Sequence, residues 1–219
     1  LDIVGLQPSW AEYTRFFVAL VAVLDPLAAI PIFLSLTEQY SSAERARTAW
    51  VTSAAVGGLL IVCALAGESA LTLMGTSVAA LRVGGGIVLL LMALSMLTAQ
   101  PGRLRQTPEE AEEAVSKEAV AVVPLGIPLL AGPGAISTVI IEMDRGSGLL
   151  HGGLVVGTIL VVSFLCWAVL RNAAWVGRAL GPIGMNVGIR LFGLILAAIA
   201  VEFIVNGLKQ LLPVLGGSL

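Results

Sequence analysis

The chain has 219 residues, of which 58% are hydrophobic and only 12% charged, and its mean hydropathy is +0.99. A soluble domain carries about twice that share of charge and could not hide so much apolar surface. Twelve Lys+Arg against fourteen Asp+Glu exclude a basic nucleic-acid binder, and two cysteines inside apolar runs exclude a disulfide framework. An integral membrane protein remains.

A spanning helix needs about 20 apolar residues. The gaps between charged residues predict six spans, at 13–36, 47–68, 78–99, 119–143, 152–172 and 186–212. None shows the in/out alternation of a barrel strand. The start of the chain has no basic n-region and is not read as a signal peptide.

Span 1 contains Leu24-Asp25-Pro26-Leu27-Ala28-Ala29-Ile30-Pro31. Proline removes a backbone donor and crowds the preceding turn, so Pro26 and Pro31 predict a broken helix. A charge at bilayer depth is costly and marks a cavity or an ion path. Asp25 is therefore a candidate site residue, with a helix cap before Pro26 as the structural alternative. Spans 2 and 3 follow, and span 3 opens on Arg82-Val83-Gly84-Gly85-Gly86. The 100–118 loop is acidic, and Thr107-Pro108-Glu109-Glu110 predicts a helical lead-in to span 4.

Span 4 carries three prolines and three glycines: Pro124, Pro128 and Pro133, with Gly126, Gly132 and Gly134. That density favours an unwound stretch or two half-helices meeting at mid-depth, where freed backbone groups need protein, water or ligand as partners. Half-helix N-termini attract a carboxylate, and carbonyl ends or an acid hold an ammonium. Ser137 and Thr138 add hydroxyls just past the break, or bond back to their own turn. Glu202, inside span 6, is the candidate ion-coupling group; pairing with Arg82 is its structural alternative. The predicted substrate set is Asp25, Pro26, Pro31, Pro128, Gly132, Pro133, Gly134, Ser137 and Thr138. Glu142, Asp144 and Arg145 lie near a span end and read as interfacial.

The halves resemble each other. Arg82 and Arg190 are 108 positions apart, as are Gly85 and Gly193, and Asp25-Pro26 precedes Gly132-Pro133 by 107. Three spans per unit is an odd number, so the second copy inserts upside down, the inverted repeat of many secondary transporters. The predicted fold is all-α: a first repeat over 1–99, a cytoplasmic acidic loop over 100–118 and a second, inverted repeat over 119–219. Seven Lys/Arg in the loops between spans 1–2, 3–4 and 5–6, against three on the other side, place both termini outside the cytoplasm. Gly153-x-x-x-Gly157 and Gly184-x-x-x-Gly188 suit close packing within the chain or a homo-oligomer face.

The sequence has no phosphate-binding loop and no hydrolase or zinc-protease motif, and no cofactor or metal is expected. At Asp25-Pro26 through Phe33, at Pro124-Leu125 through Ala131-Gly132-Pro133-Gly134-Ala135 and at Arg82-Val83-Gly84-Gly85, the chain resembles the MarC/SnatA family over nearly its whole length. At position 202 that family more often has glutamine. The resemblance implies a six-helix protein of a bacterial or archaeal inner membrane, and for some members transport of small neutral amino acids such as glycine and alanine. The expected partners are a small-molecule substrate and the lipid bilayer, and no enzyme activity is expected. A membrane scaffold or assembly factor, whose broken helices only pack, and a channel are the alternative readings.

Overall fold

The computed structural model describes residues 10–98 and 130–212. Among them are seven helices and no strand. They are α1 (Trp10–Leu24), α2 (Pro26–Leu36), α3 (Ser42–Leu73), α4 (Val78–Leu97), α5 (Pro133–Asp144), α6 (Leu149–Arg171) and α7 (Ala173–Leu211). Five stretches are long and apolar enough to cross a membrane: Trp10–Leu36, Ser42–Leu73, Val78–Leu97, Leu149–Arg171 and Ile183–Leu211. Their outer faces are apolar, with Val62, Leu65, Leu160, Phe164, Leu191 and Leu194 all exposed. Such surfaces need lipid as solvent.

Local chemistry sets the boundaries. Pro26 disfavours the α region for the residue before it. Asp25 leaves the helix for the left-handed region, φ 42 and ψ 66, which a short side chain that bonds locally tolerates. Its amide still donates to the Val21 carbonyl at 2.9 Å, closing α1, and its Oδ1 accepts from the Ala28 amide at 3.3 Å, opening α2. The start of α3 is a capping box: the Ser41 amide donates to Glu44 Oε2 and the Glu44 amide to Ser41 Oγ. This cap lies outside the predicted span 47–68, so charged Glu44, Arg45, Arg47 and Glu68 all sit within one helix of 32 residues. Gly181, at φ 61, interrupts α7. The long apolar stretch within it starts just beyond, at Ile183.

The contacts along α4 fix the depths. Arg82 pairs with Asp144, Gly85 faces Ser137, and Gly134 faces Leu89. So α5 runs antiparallel to α4 and begins about halfway along it. At 1.5 Å per residue α4 spans about 30 Å, and α5 covers little more than half of that. Trp10 and Leu211 lie at one end of the bundle, here the near end, because Tyr13 bonds His151 at the start of α6 and Gly207 packs on Arg82 at the start of α4. The predicted span 119–143 is described only from Leu130 onward, and the predicted lead-in at 107–118 lies outside the described residues.

One spacing runs through these elements. Asp25-Pro26 and Gly132-Pro133 open half-length helices 107 residues apart, and α3 and α6 begin 107 apart, at Ser42 and Leu149. On the α4–α7 seam, a Cβ at Gly86 would stand 2.9 Å from the Ala200 carbonyl and 2.7 Å from Ile204. A Cβ at Gly193 would stand 3.3 Å from the Ala93 carbonyl and 3.4 Å from Leu97. Adding 107 to 86, 93 and 97 gives 193, 200 and 204, so the two contacts are reciprocal. The packing register is therefore 107, not the 108 suggested by Arg82 and Arg190, whose surroundings differ: Arg82 is buried and Arg190 exposed.

Candidate functional site

A cavity of about 570 Å³ opens at the near end between α1, α5 and α7. Thr138, Glu142 and Arg145 line it from α5, Glu12 and Arg15 from α1, and Ile199, Glu202 and Phe203 from α7. Thr138, Glu142 and Arg145 share it because steps of four and three residues return to one helical face. Glu142 is only 4% exposed, and its Oε2 accepts from Arg145 Nη1 at 3.0 Å. Carboxylates and guanidinium groups thus face one small space walled by apolar side chains.

A polar clamp holds this mouth. His151 Nε2 lies 3.0 Å from the Glu142 carbonyl, and Tyr13 Oη lies 2.7 Å from His151 Nδ1. A carbonyl only accepts, so Nε2 carries the proton and Nδ1 accepts from the tyrosine. The clamp joins α1, α5 and α6, and the Arg82–Asp144 pair adds α4.

The predicted site residues divide. Thr138 and Glu202 share the near-end cavity. Glu202 is exposed there, and Arg82 reaches Asp144 in place of it. Ser137 faces the other side of α5, where it and Pro133 line a smaller apolar cavity of about 370 Å³ with Gly84 and Gly85. Both hydroxyls donate to the Gly134 carbonyl, Ser137 at 3.0 Å and Thr138 at 2.7 Å. Their lone pairs remain as acceptors. Asp25 is fully buried and caps α2; Pro26 occupies the first position of α2, and exposed Pro31 lies inside it. Gly132 is the N-cap of α5, with Pro133 next. A Cβ at Gly134 would lie 3.3 Å from Val23 Cγ1, so the start of α5 rests against the end of α1, two residues before Asp25. Pro128, with Pro124 and Gly126, lies outside the described residues.

Sequence reasoning set aside Glu142 and Arg145 as interfacial and did not single out Glu12 or Arg15. Their spacing from Thr138 was the available signal.

A family model for MarC family integral membrane proteins matches residues 10–212. The chain belongs to this MarC family. It is 37% identical over 203 residues to UPF0056 membrane protein YhcE of Escherichia coli (strain K12), covering 92% of this chain and 94% of that one. It is 38% identical over 202 residues to UPF0056 membrane protein YvbG of Bacillus subtilis (strain 168), covering 91% and 95%. A UPF0056 membrane protein of Pyrococcus abyssi is 36% identical over 197 residues, covering 90% and 94%. The MarC match takes in both Pro-containing helix starts and the whole cavity wall from Glu12 to Phe203. No solved structure matches the chain.

Proposed function

We propose that this MarC-family protein is a secondary transporter of small neutral solutes, best suited to zwitterionic amino acids of the size of glycine or alanine. It is read as a transporter and not an enzyme. The observation that carries the reading is the near-end cavity. Its Arg145 and Arg15 can face a carboxylate while Glu142 and Glu12 face an ammonium, with Glu202 beside them as the ion-coupling candidate. The hydroxyl of Thr138 has lone pairs left to accept from the solute. In apolar surroundings such charge-assisted contacts are strong. The cavity volume of about 570 Å³ leaves room for the solute with water.

The reading includes six spans arranged as two inverted three-helix repeats, with breaks at Asp25 and around Gly132. The 107-residue spacing of the helix starts and of the two seam contacts supports it. Arg45, Arg47, Arg171 and Arg178 lie toward the far end, which supports a cytoplasmic far end in an inner membrane, with both termini outside.

The experiment is counterflow in proteoliposomes loaded with each of the twenty amino acids in turn. Exchange of labelled glycine or alanine is expected. A folded, inserted protein that exchanges none of the twenty would end this reading and leave the scaffold.

A further inference from the structure

The bend at Gly181 leaves a space beside it. It separates two parts of α7 that both touch α2. On one side, a Cβ at Gly177 would lie 3.7 Å from Ile30 Cγ2 and 3.8 Å from Leu34 Cδ1. On the other, a Cβ at Gly188 would lie 3.1 Å from Leu27 Cδ1. Between these contacts lies a cavity of about 660 Å³, walled by Ile30, Pro31 and Leu34 of α2 and by Met185 and Ile189 beyond the bend. Its depth follows from the α4–α7 seam. A Cβ at Gly193 would meet Met96 and Leu97 in the last turn of α4, so the earlier part of α7 lies at the far boundary of the bundle.

The wall is apolar with one charge. Arg178 is the only charged side chain among the described residues that line the cavity. Its Nε donates to the Ala174 carbonyl at 3.0 Å, one turn back along the helix. Its Nη1 and Nη2 have no partner among the described residues. Asn186, across the bend, also lines the cavity and is exposed. Around the opening, Trp175 is 67% exposed and Ile183 81%. An apolar slot with a fixed cation, placed where hydrocarbon meets headgroups, suits a molecule with an acyl chain and an anionic head. The other half carries a contrasting version. Arg178 corresponds to Leu71 and Ile30 to Ser137, and the smaller cavity that Leu71 and Ser137 share has no charged residue in its described lining.

We propose that the cavity at the Gly181 bend seats one anionic phospholipid, with an acyl chain between α2 and α7 and the phosphate on the Nη groups of Arg178. The planar guanidinium offers its two Nη groups as a fork that matches phosphate oxygens, and the Asn186 amide donates to the ester region below them. The inference rests on the membrane location of the chain and not on the transporter reading. A zwitterionic lipid fills the same slot, but its own ammonium group competes for the phosphate, so the preference is for the anionic head.

The test uses the full chain in phosphatidylcholine vesicles, with Trp10, Trp50 and Trp167 replaced by phenylalanine so that Trp175 is the only tryptophan. Trp175 and Arg178 are neighbours at helical spacing. A small, varied fraction of the lipid carries brominated acyl chains, which quench tryptophan on contact, under either a phosphatidylglycerol or a phosphatidylcholine head. The brominated phosphatidylglycerol is expected to quench Trp175 at about one-fifth to one-tenth of the fraction that the phosphatidylcholine needs. R178Q should bring the two lipids together, and R178K, which keeps the charge without the fork, should retain part of the preference. As a control, W175F with E68W moves the single tryptophan to the corresponding place in the other half, where no preference is expected. Equal quenching of Trp175 by the two lipids, a preference that survives R178Q, or the same preference at E68W would each overturn the proposal. Displacement of the lipid by glycerol phosphate in the buffer would overturn it in favour of an anion site without an apolar seat. Quenching by neither lipid would overturn it in favour of a second copy of the chain covering the bend.

Discussion

Arg82 and Asp144 meet at 3.2 Å, Nη2 to Oδ2, and fasten the start of α4 to the end of α5. The two are unequally covered: the arginine side chain is 9% exposed and the aspartate 30%. Arg82 Nε is also buried, without an acceptor among the described residues. Removing the aspartate therefore strands a buried cation, while removing the arginine leaves an anion that water can reach. Asp144→Ala is expected to cost about 3 kcal/mol, near the lower end for a broken buried pair because this one is partly wet. Arg82→Met, which fills the space, is expected to cost less. Thermal unfolding in detergent should rank the two in that order.

The glycines of α4 give an internal contrast. A Cβ at Gly84 meets nothing within 4 Å, whereas one at Gly86 meets the Ala200 carbonyl at 2.9 Å, a backbone atom that no rotamer can move. Gly84→Ala should leave stability unchanged or raise it by up to about 1 kcal/mol through helix propensity. Gly86→Ala should lower it by about 1–3 kcal/mol through overpacking. Melting temperatures of the two variants decide the matter.

Asp25 is tested by two replacements. Asparagine tolerates the left-handed region and still caps, so Asp25→Asn is expected to keep the fold. In the transporter reading any loss of substrate affinity acts through the break between α1 and α2, because Asp25 does not line the near-end cavity. Asp25→Ala loses the bond to the Ala28 amide and strains the backbone at φ 42, for a total of about 2–3 kcal/mol. Stability in detergent and substrate affinity in proteoliposomes separate the two effects.

Within the cavity, Glu142→Gln removes the charge that Arg145 holds at 3.0 Å and should lower exchange at least about tenfold, the loss of one charge-assisted bond. Glu202→Gln is nearly isosteric at an exposed position. It should leave counterflow intact and reduce accumulation driven by a pH gradient. An unchanged dependence on the gradient would make Glu202 a bystander.

Much of this was legible before any coordinates. Charge gaps locate the long helices because a charge in lipid is costly, and Asp25-Pro26 announces its break because proline restricts the residue before it. The length of α3 was not legible from charges, since Ser41 and Glu44 start it in the polar region where charge carries no penalty. Glu142 was misjudged for the opposite reason. It stands near a span end, yet it is buried: Arg145, three residues on, pairs with its carboxylate, and its carbonyl meets His151, which Tyr13 of the distant α1 bonds in turn. The Arg82–Arg190 match suggested a register one residue off, because identical residue types were weighed where backbone contacts decide.

The common register also separates what the two halves share from what they do not. Arg45 and Arg47 correspond to Gly152 and Leu154, and Arg171 and Arg178 correspond to Ala64 and Leu71. Every one of these arginines lacks a basic counterpart. What the register does keep is uncharged: Gly86 matches Gly193 and Pro26 matches Pro133. If the halves insert as proposed, the instruction for which way round each enters the bilayer lies in these unmatched arginines. Moving a pair of them to the corresponding positions would change the biosynthetic orientation signal while leaving the packed seams untouched.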